Sequence, residues 1–130
     1  MTTVHKTAQI NADPRKVWGR IADVGKVHDI LPSVVECRLD GDKRLCTFAD
    51  GGQLTERIIS VDAELMRLAY SITDSPFPLE YHAASMRVVP EANGCRLEWT
   101  TDLKPDALKE SLAPLFDQLF EQLTARVGAQ

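Results

Sequence analysis

The sequence is poor in several features that mark whole classes of protein. It has only three cysteines, Cys37, Cys46 and Cys95, with no CxxC pair, so it predicts neither a zinc site nor a disulfide framework. The formal net charge of −4 provides no basic face for a phosphate backbone, which argues against nucleic acid as a partner. No stretch approaches ~18 consecutive apolar residues, so we expect no integral membrane association.

Motifs of cofactor chemistry are absent as well. The chain has no Gly-rich phosphate loop, no nucleophile elbow and no cluster of histidines or carboxylates at metal-ligand spacing. We therefore expect no metal and no cofactor, and we interpret His5 and His28 as surface residues. The N-terminus lacks the basic and apolar regions of a signal peptide, and together with the unpaired cysteines this predicts a cytoplasmic protein. We expect a monomer or a weak homodimer.

The length of 130 residues suits one domain, residues 1–130, with enough core to fold without metal or disulfides. Weak alternation over residues 3–10 predicts a first strand. Asp13 at an N-cap and Pro14 at the first helical position begin a helix that Gly25 can end. A short second helix or turn, roughly residues 26–31, is closed by Pro32.

The middle of the chain alternates between short β-type runs and turn residues. Each run carries one apolar face, which we expect to point inward, and one polar face, which we expect to meet water. Six strands are predicted, at about residues 34–39, 43–49, 53–61, 66–73, 80–89 and 95–103.

The last part of the chain predicts a long amphipathic helix. Leucines and phenylalanines recur at helical spacing from Pro105 to Val127, and such a stripe needs a large apolar partner. Pro114 removes one backbone donor inside this pattern. We therefore predict a kink near residues 110–113, or a break there between a short piece and a longer one.

Local sequence signatures agree with this order of elements along nearly the whole chain. They are Val17-Trp18 and Asp23; Arg44 with Asp50-Gly51-Gly52; Glu56-Arg57-Ile58 and Asp62; Tyr70-Ser71-Ile72 through Pro76 and Pro78; Met86-Arg87-Val88 with Pro90; and Glu98-Trp99. With them the chain resembles the SRPBCC superfamily, the START-like or Bet v 1-like proteins, and in particular its small bacterial polyketide cyclase/dehydrase and lipid transport members.

The resemblance implies an α+β helix-grip fold. In that fold a seven-stranded curved antiparallel sheet wraps the long C-terminal helix, and two short helices follow the first strand. It also implies a cavity for a lipid, polyketide or similar hydrophobic molecule. Two departures affect the wall or rim of that cavity: the usual Trp-His-Pro is Ile30-Leu31-Pro32, and the usual Asn-Tyr is Tyr81-His82.

Four polar residues share the inward faces with apolar ones, and such residues are the informative exceptions. Arg44 and Glu56 lie on consecutive strands and can form an ion pair, either as a structural salt bridge or as a ligand or catalytic group. His82 is either a hydrogen-bonded wall residue or an acid or base. Tyr70 either packs in the core or orients a ligand.

The expected cavity wall combines these residues with apolar ones from the strands and the last helix. Trp99 can line the cavity or fill it, and Phe77 and Leu79 can form a lid over its mouth. The candidate ligand-binding residues are Arg44, Phe48, Glu56, Tyr70, Ile72, His82, Ala84, Met86, Trp99, Phe116, Leu119, Phe120 and Leu123.

Three functions are consistent with these residues. The first is binding of a small hydrophobic molecule, with polar wall residues orienting it. The second is a cyclase or dehydratase in which the candidate catalytic residues are His82, as acid or base, and Glu56, with Arg44 as an alternative partner. The third is a protein-interaction module, which no residue pattern specifically supports.

Overall fold

The computed structural model describes residues 1–129 as an antiparallel sheet with helices packed on its concave face. The helices are α1 (Pro14–Ala22), a 3₁₀ helix (Val24–Asp29) and α2 (Ala107–Val127). The strands are β1 (Thr2–Ile10), β2 (Val34–Asp40), β3 (Lys43–Phe48), β4 (Gln53–Asp62), β5 (Arg67–Asp74), β6 (Tyr81–Glu91) and β7 (Gly94–Lys104). All seven predicted strands are present, with ends within two residues of the prediction.

The sheet has the strand order β1-β7-β6-β5-β4-β3-β2, and every neighbouring pair is antiparallel. Consecutive strands from β2 to β7 are joined by hairpins, and β1 pairs with β7 at the far edge. Register shifts interrupt the β4–β5 pairing between Thr55 and Glu56 and between Ile58 and Ser60. Such bulges increase twist and bend a strand, which lets the sheet curve around α2. The predicted helix-grip fold is confirmed.

The core lies between the inward sheet face and α2. At its centre are Leu97 and Leu103 of β7 together with Leu123 and Val127 of α2, and each of these side chains is at most 1% exposed. The polar side of α2 faces solvent, and Lys6 of β1 reaches across to pair with Asp117 of the helix. The amphipathic stripe thus finds its large apolar partner in the sheet. Among the helices of residues 1–129, none combines the length and the apolar character of a membrane-spanning segment.

The helices differ from the prediction at two places: the end of the first helix and the predicted break in the last. α1 ends at Ala22, and the 3₁₀ helix begins at Val24, so Gly25 lies inside the second helix instead of ending the first. α2 runs without a break through Pro114, so the predicted alternative of two pieces is wrong. Pro114 is exposed, while Leu112 and Phe116 on either side of it are buried. Burial of this apolar stripe outweighs the cost of about 3 kcal/mol for an interior proline.

The N-cap that the sequence predicts at Asp13 is present at the start of α1 and can be tested. The Asp13 side chain accepts a hydrogen bond of 2.9 Å from the Arg15 backbone N–H, as an N-cap residue does. Asp13→Ala should lower the free energy of unfolding by about 1 kcal/mol, measured by urea denaturation at pH 7. Asp106 precedes α2, and its side chain makes no capping bond but only an exposed ion pair of 2.8 Å with the Met1 amino group, so Asp106→Ala should cost less than half as much. Equal losses would contradict the assigned cap.

Candidate functional site: a cavity between the sheet and the long helix

A cavity of about 190 Å³ lies between the inward face of β3–β7 and α2. Its lining is mostly apolar, with side chains from the sheet on one side and Leu112, Leu115, Phe116 and Leu119 of α2 on the other. The end of the cavity nearest to solvent is bordered by the β3–β4 turn and by the loop between β5 and β6. We call this end the rim; its residues are Asp50, Gly52, Gln53, Pro76 and Phe77.

Most of the candidate residues named from the sequence line this cavity. They are Arg44, Phe48, Glu56, Tyr70, Ile72, His82, Met86, Trp99, Phe116 and Leu119. Three others do not. Ala84 is buried in the sheet, opposite both Tyr70 and Thr101, and Phe120 stacks on Trp99 with ring centroids 6.1 Å apart. Leu123 is 1% exposed and borders a separate void of about 10 Å³.

The structure also adds residues that were not on the candidate list. Cys46 and Leu103 line the cavity, and they are apolar positions of the predicted strands 43–49 and 95–103. Phe77 and Leu79, the candidate lid residues from the sequence, also line the cavity. Val27 and Leu31 come from the 3₁₀ helix and the segment after it, and no strand or helix pattern in the sequence points to them. Val34 is the first residue of β2.

Arg44 and Glu56 form the expected ion pair across the β3–β4 hairpin. They are directly opposed in the sheet register, and the Arg44 Nε donates to Glu56 Oε1 at 2.8 Å. Both are nearly enclosed, with 4% and 7% of their surfaces exposed. Arg44 Nη1 also donates to the Val24 carbonyl at 3.2 Å. Burial alone would lower the pKa of Arg44, but the Glu56 charge raises it overall, so the guanidinium stays charged.

One polar atom of each side chain in this ion pair makes no hydrogen bond within the protein. Among residues 1–129, Glu56 Oε2 and Arg44 Nη2 have no hydrogen-bond partner, and neither is a fully enclosed atom. Both side chains line the cavity, and Arg44 also borders the separate void of about 10 Å³.

Tyr70 and Trp99 form an aromatic part of the wall. The Trp99 Nε1–H donates to the Tyr70 hydroxyl at 3.0 Å, and the Trp99 ring meets Phe116 edge-on with centroids 5.5 Å apart. Arg44 Cζ lies 5.5 Å from the centroid of the Tyr70 ring, a cation–π distance. Burial raises the pKa of Tyr70, so its hydroxyl keeps its proton. Trp99 itself is a wall residue that lines the cavity without filling it.

His82 takes the place of a backbone group in the sheet. Pairing between β5 and β6 stops at Tyr70 and Ala84, and beyond this point the Ile72 backbone N–H donates to His82 Nδ1 at 2.9 Å. The Ser71 hydroxyl closes the same gap by donating to the His82 carbonyl. Burial lowers the pKa of His82 to about 4, so near pH 7 the ring is neutral. With Nδ1 accepting, its proton is on Nε2.

This combination of a sheet, a long helix and an apolar cavity with a few polar side chains matches known proteins. The family model described as "Polyketide cyclase / dehydrase and lipid transport" matches residues 1–128. The chain belongs to this family. The SRPBCC resemblance seen in the sequence is thereby confirmed.

Solved structures share the fold of this family member at low sequence identity. The protein XoxI from Bacillus cereus is 22% identical with a TM-score of 0.87, covering 98% of this chain and 94% of that one. A protein from Thermobifida fusca is 27% identical with a TM-score of 0.82 over the same shares. Norcoclaurine synthase from Thalictrum flavum, in complex with dopamine and hydroxybenzaldehyde, is 18% identical with a TM-score of 0.72, covering 95% and 84%.

Proposed function

We propose that this polyketide cyclase/dehydrase and lipid transport family member binds a hydrophobic molecule of one or two rings. The observation that carries the proposal is the cavity of about 190 Å³, lined by apolar side chains and a few polar ones. A protein cavity of ~150 Å³ is enough to hold benzene, whereas pockets for drug-sized ligands start at about 300 Å³. The volume therefore favours a small ring system over a long-chain lipid or a four-ring polyketide.

Several further features belong to this proposal. Residues 1–130 act as one ligand-binding domain in the cytoplasm, as a monomer or weak homodimer. Phe77 of the rim and the neighbouring Leu79 form a lid that opens when the ligand enters the cavity. The dopamine and hydroxybenzaldehyde of the norcoclaurine synthase complex are small aromatic molecules, which agrees with the ligand size.

The alternative of a cyclase or dehydratase with His82 as acid or base has less support from the geometry. A general base needs a free lone pair facing the substrate. Here the lone pair of Nδ1 already accepts the Ile72 N–H, and Nε2 carries the proton. With a pKa of about 4, the ring is also a poor proton donor at neutral pH. If there is catalysis, Glu56 is the better base, because its Oε2 is unengaged.

A cavity-filling substitution tests the binding proposal. 4-Fluoroacetophenone, followed by ¹⁹F NMR, should bind to the unaltered protein. Leu119→Trp should weaken this binding at least tenfold, equal to about 1.4 kcal/mol, because the larger side chain occupies ligand space. Gln118→Trp adds the same side chain on the neighbouring exposed position and should leave the dissociation constant unchanged. Absence of binding, or equal effects of the two variants, would exclude the cavity as the binding site.

A further inference from the structure

The hydroxyl of Tyr70 has its direction fixed by a neighbour. The indole Nε1–H of Trp99 can only donate, so the Tyr70 oxygen must be the acceptor in their 3.0 Å bond. The hydroxyl proton is then left over, and no acceptor among residues 1–129 takes it. Because burial keeps this hydroxyl protonated, it is a hydrogen-bond donor in the cavity wall.

The imidazole of His82 is oriented in the same way. The Ile72 backbone N–H is a donor, so Nδ1 is the acceptor and the ring's proton lies on Nε2. Nε2 has no partner in the described chain and is not a fully enclosed atom. The centroids of the Tyr70 and His82 rings lie 5.9 Å apart on adjacent strands, so the two donors belong to one part of the wall.

The charges next to these donors cancel. Arg44 and Glu56 are bonded to each other, so together they bring no net charge to the cavity. A charged ligand would lose its hydration without meeting an opposite excess charge, and desolvation of an unpaired ion is costly. A neutral ligand avoids this desolvation penalty.

From these directions we propose that the cavity selects neutral aromatic molecules that carry a hydrogen-bond acceptor, such as a ketone or aldehyde oxygen, held by Tyr70 Oη–H and His82 Nε2–H. The proposal rests on the binding function above and specifies its ligand class. The aromatic ring occupies the apolar part of the cavity, against Trp99, Phe116 and Met86. Glu56 Oε2 provides a place for a donor group on the same ligand.

Three fluorinated probes of similar shape, followed by ¹⁹F NMR at pH 7, separate the effect of the ligand's hydrogen-bond acceptor from the effect of its charge. They are 4-fluoroacetophenone, 1-ethyl-4-fluorobenzene, which lacks the oxygen, and 4-fluorobenzoate, which is an anion. The ketone should bind about tenfold more tightly than the hydrocarbon, the effect of one to two net hydrogen bonds. The benzoate should bind more weakly than the ketone.

Variants identify the donors. Tyr70→Phe removes the hydroxyl and keeps the ring, and it should reduce the preference for the ketone about threefold or more. His82→Asn places an amide oxygen where Nδ1 accepts the Ile72 N–H but lacks Nε2–H, so it should reduce the preference similarly while keeping the fold. Tyr81→Phe is the matched control: Tyr81 is 49% exposed and lies outside the cavity lining, so the preference should not change.

The outcomes distinguish this inference from the binding function. Equal affinity for the ketone and the hydrocarbon would overturn the ligand class and leave the binding function standing. Tightest binding of the benzoate would show that Arg44 accepts a carboxylate, which overturns the selection for neutral ligands. If no probe binds, both proposals fail. A ketone preference that falls in Tyr70→Phe and His82→Asn, but not in Tyr81→Phe, supports the inference.

Discussion

Arg44→Met should lower the free energy of unfolding by about 3–5 kcal/mol, the cost of leaving a buried charge without its partner. Methionine keeps much of the side-chain length, but Glu56 loses the Nε–H donor at 2.8 Å and the Val24 carbonyl loses its donor as well. Glu56 is 7% exposed, so water replaces these contacts poorly. Chemical denaturation at pH 7 measures the loss.

The double variant Arg44→Met, Glu56→Leu should recover most of this stability, because it removes both charges and leaves apolar groups of similar volume. Arg57→Met is the control for the loss of an arginine. Arg57 lies next to Glu56 on β4 and pairs with Asp42 at 3.4 Å, but both of these side chains are about 60% exposed. Its substitution should change stability by less than about 1 kcal/mol. A loss at Arg44 no larger than at Arg57 would show that burial does not make the pair costly to break.

The fold was predictable because its signals are local and repeated. Most strands bury one face of a period-two pattern between turn residues, although Val35 and Leu39 of β2 are exposed. The antiparallel order follows because short hairpins join β2 through β7. The predicted end of the first helix was wrong because the backbone of Asp23 is not helical, with φ −80° and ψ 72°, so α1 stops before Gly25 is reached. The predicted break near residues 110–113 does not occur, because the burial of Leu112 and Phe116 holds the helix on both sides of Pro114.

The site was predictable only in part, since alternation gives the face of a strand and not the depth of a side chain. It placed Arg44, Glu56 and His82 on the inward face, where the structure has them. It could not exclude Ala84, whose short side chain stays within the sheet, or Leu123, which packs beyond the end of the cavity. Val27 and Leu31 were missed because they reach the cavity through long-range packing of an irregular segment.

The role of His82 shows a further limit of sequence patterns. An inward histidine suggests either chemistry or packing, and only the register of β5 and β6 decides between them. That register leaves the Ile72 N–H without a carbonyl across the sheet, and His82 Nδ1 supplies the acceptor. The side chain thus completes the sheet with one nitrogen, and the other is left for a ligand. Its stabilising role depends on the neutral form, because a protonated Nδ1 cannot accept.

Acidification should therefore destabilise the protein through His82. The folded pKa of about 4 lies below the value of ~6.5 for an exposed histidine, so between these values the unfolded chain binds a proton that the folded chain does not. The contribution of neutral His82 is fully present above ~6.5 and is lost as the pH falls toward 4. From pH 7 to pH 5 this loss amounts to about 2 kcal/mol.

His82→Asn isolates this contribution, because asparagine keeps an acceptor for the Ile72 N–H and does not titrate. Free energies of unfolding at pH 7 and pH 5 are measured for both proteins, and the unaltered protein should lose about 2 kcal/mol more than the variant. His5 and His28, together with all carboxylates, are present in both and cancel in the difference. The NMR titration of the His82 ring should in parallel give a midpoint near 4. A midpoint close to 6.5 with equal acid sensitivity of the two proteins would show that burial at this position does not hold His82 neutral.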